Sequence, residues 1–262
     1  MSEKRQTPFL DRKDSSRTAP LVTLSWDYPS GYSIPEHFHQ EGQVVFGLRG
    51  VMTIRTAQGI WVVPLLRAVW IPPRQVHSIT MTGAVPMRTL YLAPQLTRGI
   101  DTKCFVMNVS PLLRELLVHS CTQPKWKLGV PRERHFIEFV LDQVRNATAI
   151  PLQLVQPADR RAMNIASELV KNPRNARTLE QLSRRSGASK RTLERIFIDE
   201  TGMTFGKWRQ QLRLLHGMRL LASGDKVSSA ALEAGYRSPS AFIAAFRKSL
   251  GQTPNRYFSS AH

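Results

Sequence analysis

The last 85 residues of the chain repeat themselves, and this limits the possible folds of that half more than any other feature of the sequence. Residues 178–209 and 226–258 each read as a short helix, a Gly turn and a longer helix. At an offset of 49 residues Ser189 pairs with Ser238, Leu193 with Phe242, Phe197 with Phe246, Gly202 with Gly251, Thr204 with Thr253 and Trp208 with Tyr257. Ahead of the turn the offset is 48, pairing Leu179 with Val227, Leu182 with Ala230 and Gly187 with Gly235, so one residue is added inside the turn. Caps, glycines and apolar positions recur together, so both copies close the same kind of core. The pattern predicts two tandem helix-turn-helix units.

Charge supports a polyanionic partner for these units. The chain carries 37 Lys and Arg against 19 Asp and Glu, a net charge of +18. Up to Pro157 there are 18 basic and 11 acidic residues, and beyond it 19 and 8, so the smaller C-terminal part holds the larger excess. Such a bias attracts nucleic acid or an anionic surface, and the tandem units favour the first. The connector predicted over residues 204–222 would be roughly 28 Å long, close to the ~34 Å turn of B-DNA, which sets two readers one groove apart.

Within the first unit, Gly187 suits a left-handed helix stop and Ser189 an N-cap. Gly235 and Ser238 repeat both roles. Leu193, Ile196 and Phe197 face inward at helical spacing, which leaves Lys190, Arg191, Glu194 and Arg195 on the opposite side. Arg presented this way can donate two hydrogen bonds to a guanine edge.

The N-terminal half has a different period. Between about residues 20 and 110 it consists of short β-type runs broken by Gly and Pro, among them LVTLSWDY, QVVFGLR, VMTIRT, IWVVPL, VHSITM and MRTLYLA, which predicts an antiparallel barrel or sandwich. From Pro111 the period becomes helical, with apolar stripes at Leu112, Leu113, Leu116 and Leu117 and at Phe136, Ile137, Val140, Leu141 and Val144. These helices, within residues 111–146, can bury their stripes on the β domain, on each other, or on a second subunit. Residues 147–157 hold two prolines and no charge and are the linker candidate, and residues 1–19 form a polar arm. Nothing in the sequence resembles a signal peptide or a membrane span, so a cytoplasmic protein without a membrane partner is expected. Cys104 and Cys121 are expected to be reduced packing residues, and Trp26, Trp61 and Trp70 barrel packing.

Residues 159–258 resemble the DNA-binding domain of AraC/XylS-type transcription regulators, on TLEQLSRRSGASKRTLERIF, the connector ETGMTFGKWRQQLRLLHGMRLLASG and the end motif GYRSPSAFIAAFRKSLGQTPNRY. Carried over by position, the resemblance implies base contacts from Arg191, Glu194 and Arg195, and from Pro239, Ser240, Ala241 and Ala244. Ser189, Lys190 and Ser238 border these sets. The second set has no long donor, so it is suited to thymine methyls or DNA shape, with Arg237, Arg247 and Lys248 beside it for phosphate. The implied fold is a two-domain β plus all-α chain, with a β sensor domain at residues 20–110 and the double helix-turn-helix at 158–262.

The runs HFHQEGQVVFGLRG and IPPRQVH resemble the two short motifs of the cupin barrel, whose metal-binding members carry His-x-His, then Glu, then a further His. His37, His39, Gln43 and His77 occupy those positions, with Gln43 in place of the carboxylate and Arg74 in place of a turn Gly. Three readings are open: the imidazoles hold a divalent transition metal, contact an organic effector, or serve only as hydrogen-bonded structure. The resemblances together imply a non-enzymatic, sequence-specific regulator controlled by a small-molecule effector. Its implied partners are double-stranded promoter DNA, the effector and a second copy of the chain, with RNA polymerase as a further candidate. The competing reading is a metal-dependent cupin enzyme, such as a dioxygenase, with an appended DNA module.

Overall fold

In a computed structural model of the chain, residues 19–259 are described, so the polar arm lies outside them apart from Ala19. The first half is a pair of antiparallel sheets. One contains β1 (Leu21–Tyr28), β3 (Gly42–Gly47), β6 (Arg67–Ile71), β8 (Val85–Leu92), β9 (Phe105–Asn108), β10 (Lys125–Trp126) and β11 (Ala149–Ile150), in the order β10-β1-β8-β3-β6-β9-β11. The other contains β2 (Ser33–His37), β4 (Val51–Thr56), β5 (Gly59–Pro64), β7 (His77–Thr82) and β12 (Gln153–Val155), in the order β12-β5-β4-β7-β2. The two sheets do not close into a single barrel.

Strand alternation sorts the side chains of β3. Val45 points between the sheets with Ile54, Val69, Ile71, Ile79 and Met87, while Val44 and Phe46 point outward to a second core. That outer core is covered by α1 (Pro111–Ser120) and α2 (Pro131–Arg145), through Leu113, Leu117, Ile137, Val140, Leu141 and Val144. Pro111 opens α1 as the sequence suggested, and Ser110 caps it. The stripes therefore meet the β domain, but Leu112 stays exposed and Leu116 and Phe136 are half-buried. Trp61 and Trp70 are buried as expected. Trp26 is not, being 39% exposed on the stretch of β1 where burial lapses.

The expected linker is not a free tether. Its β11 pairs with β9 and its β12 pairs with β5, so residues 147–157 lace both sheets together before the helical half begins. That half starts with α3 (Arg160–Lys171), capped by Asp159. The first unit is α4 (Leu179–Ser183) and α5 (Lys190–Thr201), followed by the connector α6 (Phe205–Ala222). The second is α7 (Val227–Glu233) and α8 (Pro239–Leu250), and α9 (Pro254–Ser259) closes the described chain. The 18 residues of α6 span about 27 Å. One continuous apolar core runs from the inter-sheet space into the helices, with α6 lying across β4, β5 and β12.

Candidate DNA interface and sensor site

The two units superpose in their internal chemistry. Gly187 and Gly235 take positive φ of 71° and 86° in the turns, a region open to Gly at little cost. Ser189 accepts a hydrogen bond from Thr192 N at 3.1 Å, and Ser238 one from Ala241 N at 3.3 Å, so each second helix starts on a Ser cap. Each then buries an aromatic pair in the same way: Phe197 meets Trp208 at 5.4 Å, and Phe246 meets Tyr257 at 5.6 Å.

These same two aromatics also tie the units to the β half. Trp208 Nε1 donates to the Val155 carbonyl on β12 at 2.8 Å, and Tyr257 Oη donates to the Leu65 carbonyl at 2.5 Å. Arg67 lies over the Tyr257 ring, and the neighbouring Leu66 holds a left-handed φ of 59°, a strained backbone at the point of attachment. The sequence repeat had pointed to Trp208 and Tyr257 only as core residues. Their polar tips, which could have suggested a partner outside the unit, make them contacts between the halves.

The outward faces differ. On α5, Lys190, Arg191 and Arg195 are exposed, and among the described residues none of them forms an ion pair. Arg191, Arg195, Ile198 and Asp199 border one shallow depression. Ile198, 48% exposed, was not singled out from the sequence, although its spacing of three from Arg195 places it on the same face. Glu194 is half-buried and its carboxylate accepts a hydrogen bond from Phe205 N at 3.3 Å, so it is engaged with the first turn of α6. On α8 the matching depression is bordered by Ser240, Ala244, Arg247 and Lys248. These are the positions of Arg191, Arg195, Ile198 and Asp199 moved on by 49 residues. Pro239 is half-buried, Ala241 exposed and Arg237 exposed beside them.

At one end of the β half, His37, His39 and His77 each place a ring nitrogen within 4.8 Å of the others. Their Nδ1 atoms lie 2.7, 2.7 and 2.8 Å from the carbonyls of Pro35, Glu41 and Gln75. A carbonyl can only accept, so each Nδ1 carries a proton. His39 Nε2 meets the acceptor Oε1 of the fully buried Gln43 at 3.0 Å, and the Gln43 amide N–H donates to Thr89 Oγ1 at 3.0 Å on its other side. Burial, with the neighbouring histidines adding to it, pushes His77 down to about 3, so it is neutral. Arg74 does stand in a left-handed turn, at φ 62°, and its N–H and guanidinium hold the His39 carbonyl and the Gln40 amide at 2.8 and 2.9 Å. All four residues expected from the sequence are thus gathered, and the turn that Gly would ease is made by an Arg that holds the His-x-His segment.

The chain matches the AraC-like ligand binding domain family over residues 19–205 and a helix-turn-helix domain family over residues 182–260. It belongs to the AraC/XylS family of transcription regulators. The HTH-type transcriptional regulator NimR of Escherichia coli is 32% identical over 225 residues, covering 86% of this chain and 82% of that one. The regulator RipA of Corynebacterium glutamicum is 37% identical over 101 residues, 38% of this chain and 30% of its own. Among solved structures, the DNA-binding domain of AdpA, a global transcriptional factor crystallised with a target DNA, is 31% identical, covers 39% of this chain and 93% of that one, and has a TM-score of 0.37. This AraC/XylS chain is accordingly a DNA-binding regulator with a ligand-binding domain, and the enzyme alternative falls away. Among the described residues, no helix is long and apolar enough to cross a membrane.

Proposed function

We propose that α5 and α8 enter adjacent major grooves of promoter DNA, and that occupancy of the β half changes how firmly they do so. The observation that carries this is the pair of exposed faces on two internally matched units, one with Arg191 and Arg195, the other with Ser240 and Ala244. Lys190, Arg191 and Arg195 read base edges from α5, with Ser189 at its cap and Glu194 placed behind them. Ser238, Pro239, Ser240, Ala241 and Ala244 lie against thymine methyls and groove shape, while Arg237, Arg247 and Lys248 grip phosphate.

In the β half, the His cluster fits a divalent transition metal: three imidazoles with their Nδ1 protons committed to carbonyls, beside a buried neutral amide. His37, His39 and His77 would hold the ion, with Gln43 as the oxygen donor. A bound ion would supply a Lewis-acidic position to an anionic effector. Leu112 on α1 and Phe139 on α2, exposed at 48% and 44%, are the surface proposed for a second copy of the chain. RNA polymerase is the further partner of a promoter-bound regulator, in the cytoplasm.

The test is competition between the DNA flanking the gene and a scrambled duplex, read over a salt series with the full chain. Arg191→Ala is expected to weaken the promoter complex by about 1–3 kcal/mol and leave the scrambled complex nearly unchanged. Equal loss on both duplexes would remove Arg191 from base readout.

A further inference from the structure

A cleft of about 410 Å3 opens in the β half, separate from the groove-facing helices, where β5 and the lacing strand β12 meet the loops before β7 and β9. Its walls include Trp61, Gln75, Lys103, Cys104, Gln153 and Val155. Trp61 is 5% exposed and its indole N–H is buried without a hydrogen-bond partner. Burial raises the Cys104 thiol to about 12, so this wall is neutral and apolar. Among the described residues Lys103 is the only charged one lining the cleft; the Asp101 carboxylate, outside the lining, accepts its backbone N–H at 2.9 Å. Such a cleft is matched by a flat apolar body with an oxygen acceptor for the Trp61 N–H and a negative charge for Lys103.

We infer that this cleft is the effector site of the regulator and that it takes a small, flat, apolar acid of the aryl carboxylate kind. The inference rests on the regulator reading above and names the ligand class and the route of coupling. Gln153 and Val155 wall the cleft, and the same stretch of chain carries α6. The Gln211 amide donates to the Pro151 and Gln153 carbonyls, and the Trp208 indole donates to the Val155 carbonyl. A ligand that displaces or braces β12 therefore acts on the connector between the two readers. Gln75 lines the cleft and its carbonyl accepts from His77 Nδ1, so this one residue links the cleft to the His cluster. Ligand and DNA must then change each other's affinity by a common factor.

The experiment titrates the full chain with 2-naphthoate, and with the neutral 2-naphthamide, by calorimetry and in the presence of promoter and scrambled DNA. Naphthoate is expected to bind one to one with a Kd of roughly 100 µM or tighter, with the amide about tenfold weaker. Lys103→Gln should erase that difference, and Cys104→Trp should fill the cleft and abolish binding while keeping the wild-type melting temperature and ligand-free promoter preference. Bound naphthoate should shift promoter affinity at least threefold, and Gln211→Ala should keep naphthoate binding but shrink the shift. Absence of binding at about 2 mM, equal binding of acid and amide, or equal binding by wild type and Cys104→Trp would each overturn the site. Should Cys104→Trp melt early, Lys103→Gln alone decides, through the ratio of acid to amide affinity. Binding without any shift on DNA would overturn the effector role. A chain that prefers promoter to scrambled DNA yet ignores naphthoate leaves the regulator reading standing and removes only the cleft. A chain without that preference removes the regulator reading, whatever naphthoate does.

Discussion

The two helix-turn-helix units share one interior and differ in what they present outside. Leu193 and Phe242, Phe197 and Phe246, and Trp208 and Tyr257 are buried at matched positions, and Gly202 and Gly251 end α5 and α8 with left-handed φ of 71° and 80°. Outside, Ser240 and Ala244 of α8 take the positions that Arg191 and Arg195 hold on α5, while Ile198 and Asp199 give way to Arg247 and Lys248. The first helix carries its cations in the turns nearest its N-cap, where a recognition helix meets base edges. The second carries them in its last turn, where the proposed reading gives them phosphate. Packing sets where a helix points, and the exposed face alone sets what it can read.

If the interiors are equivalent, Phe197→Ala and Phe246→Ala should destabilise the chain about equally, by about 3–5 kcal/mol each, since both side chains are 0% exposed. Urea unfolding measures this, and a difference above about 2 kcal/mol would break the equivalence. If the exteriors differ as proposed, Arg195→Ala should cost about 1–3 kcal/mol on the preferred duplex, whereas Ser240→Ala should cost less than about 0.5 kcal/mol. Equal losses would mean that both helices read bases alike.

The tie to the β half gives a smaller, symmetrical effect. Tyr257→Phe removes one hydrogen bond to the Leu65 carbonyl, and should lower stability by about 0.5–1.5 kcal/mol while leaving promoter selectivity intact. Thermal unfolding with and without DNA checks both. Smaller still is the effect of Lys248→Ala, which should weaken all duplexes alike and reduce the salt slope by about one.

A pH test separates the connector from both units. Burial, then Arg219, pushes His216 on α6 down to about 4, below its ordinary 6.5. The unfolded chain thus binds the extra proton first, so this group's share of stability is present above about 6.5 and lost as pH falls towards 4. His216→Gln should flatten the acid-side decline of the melting temperature over that window, and an unchanged decline would place the sensitivity elsewhere.

Much of this was legible in the residues. The repeat located both units, because caps, glycines and aromatics recur in register. Strands β1 and β3–β9 followed from apolar runs between turns. β2 did not, because SIPEH is polar, proline-bearing and largely exposed, and it is held as a strand by pairing with β7. Strands β10–β12 are two or three residues long, too short for any period, and exist because neighbouring strands offer free edges. The four residues at the His cluster were found from two short motifs, but the carbonyls that fix their tautomers were not, since backbone partners leave no trace in side-chain identity. The same holds for the Val155 and Leu65 carbonyls that receive Trp208 and Tyr257.

The central claim is that one chain grips two consecutive grooves with unequal demands on sequence. The most direct test is selection by the full-length chain from a pool of random duplexes. The account predicts enriched duplexes with two elements about 10–10.5 base pairs apart, one with strongly constrained guanines and one tolerant of base changes that preserve groove shape. A pool that stays random after selection, or one that yields a single isolated element, would contradict it.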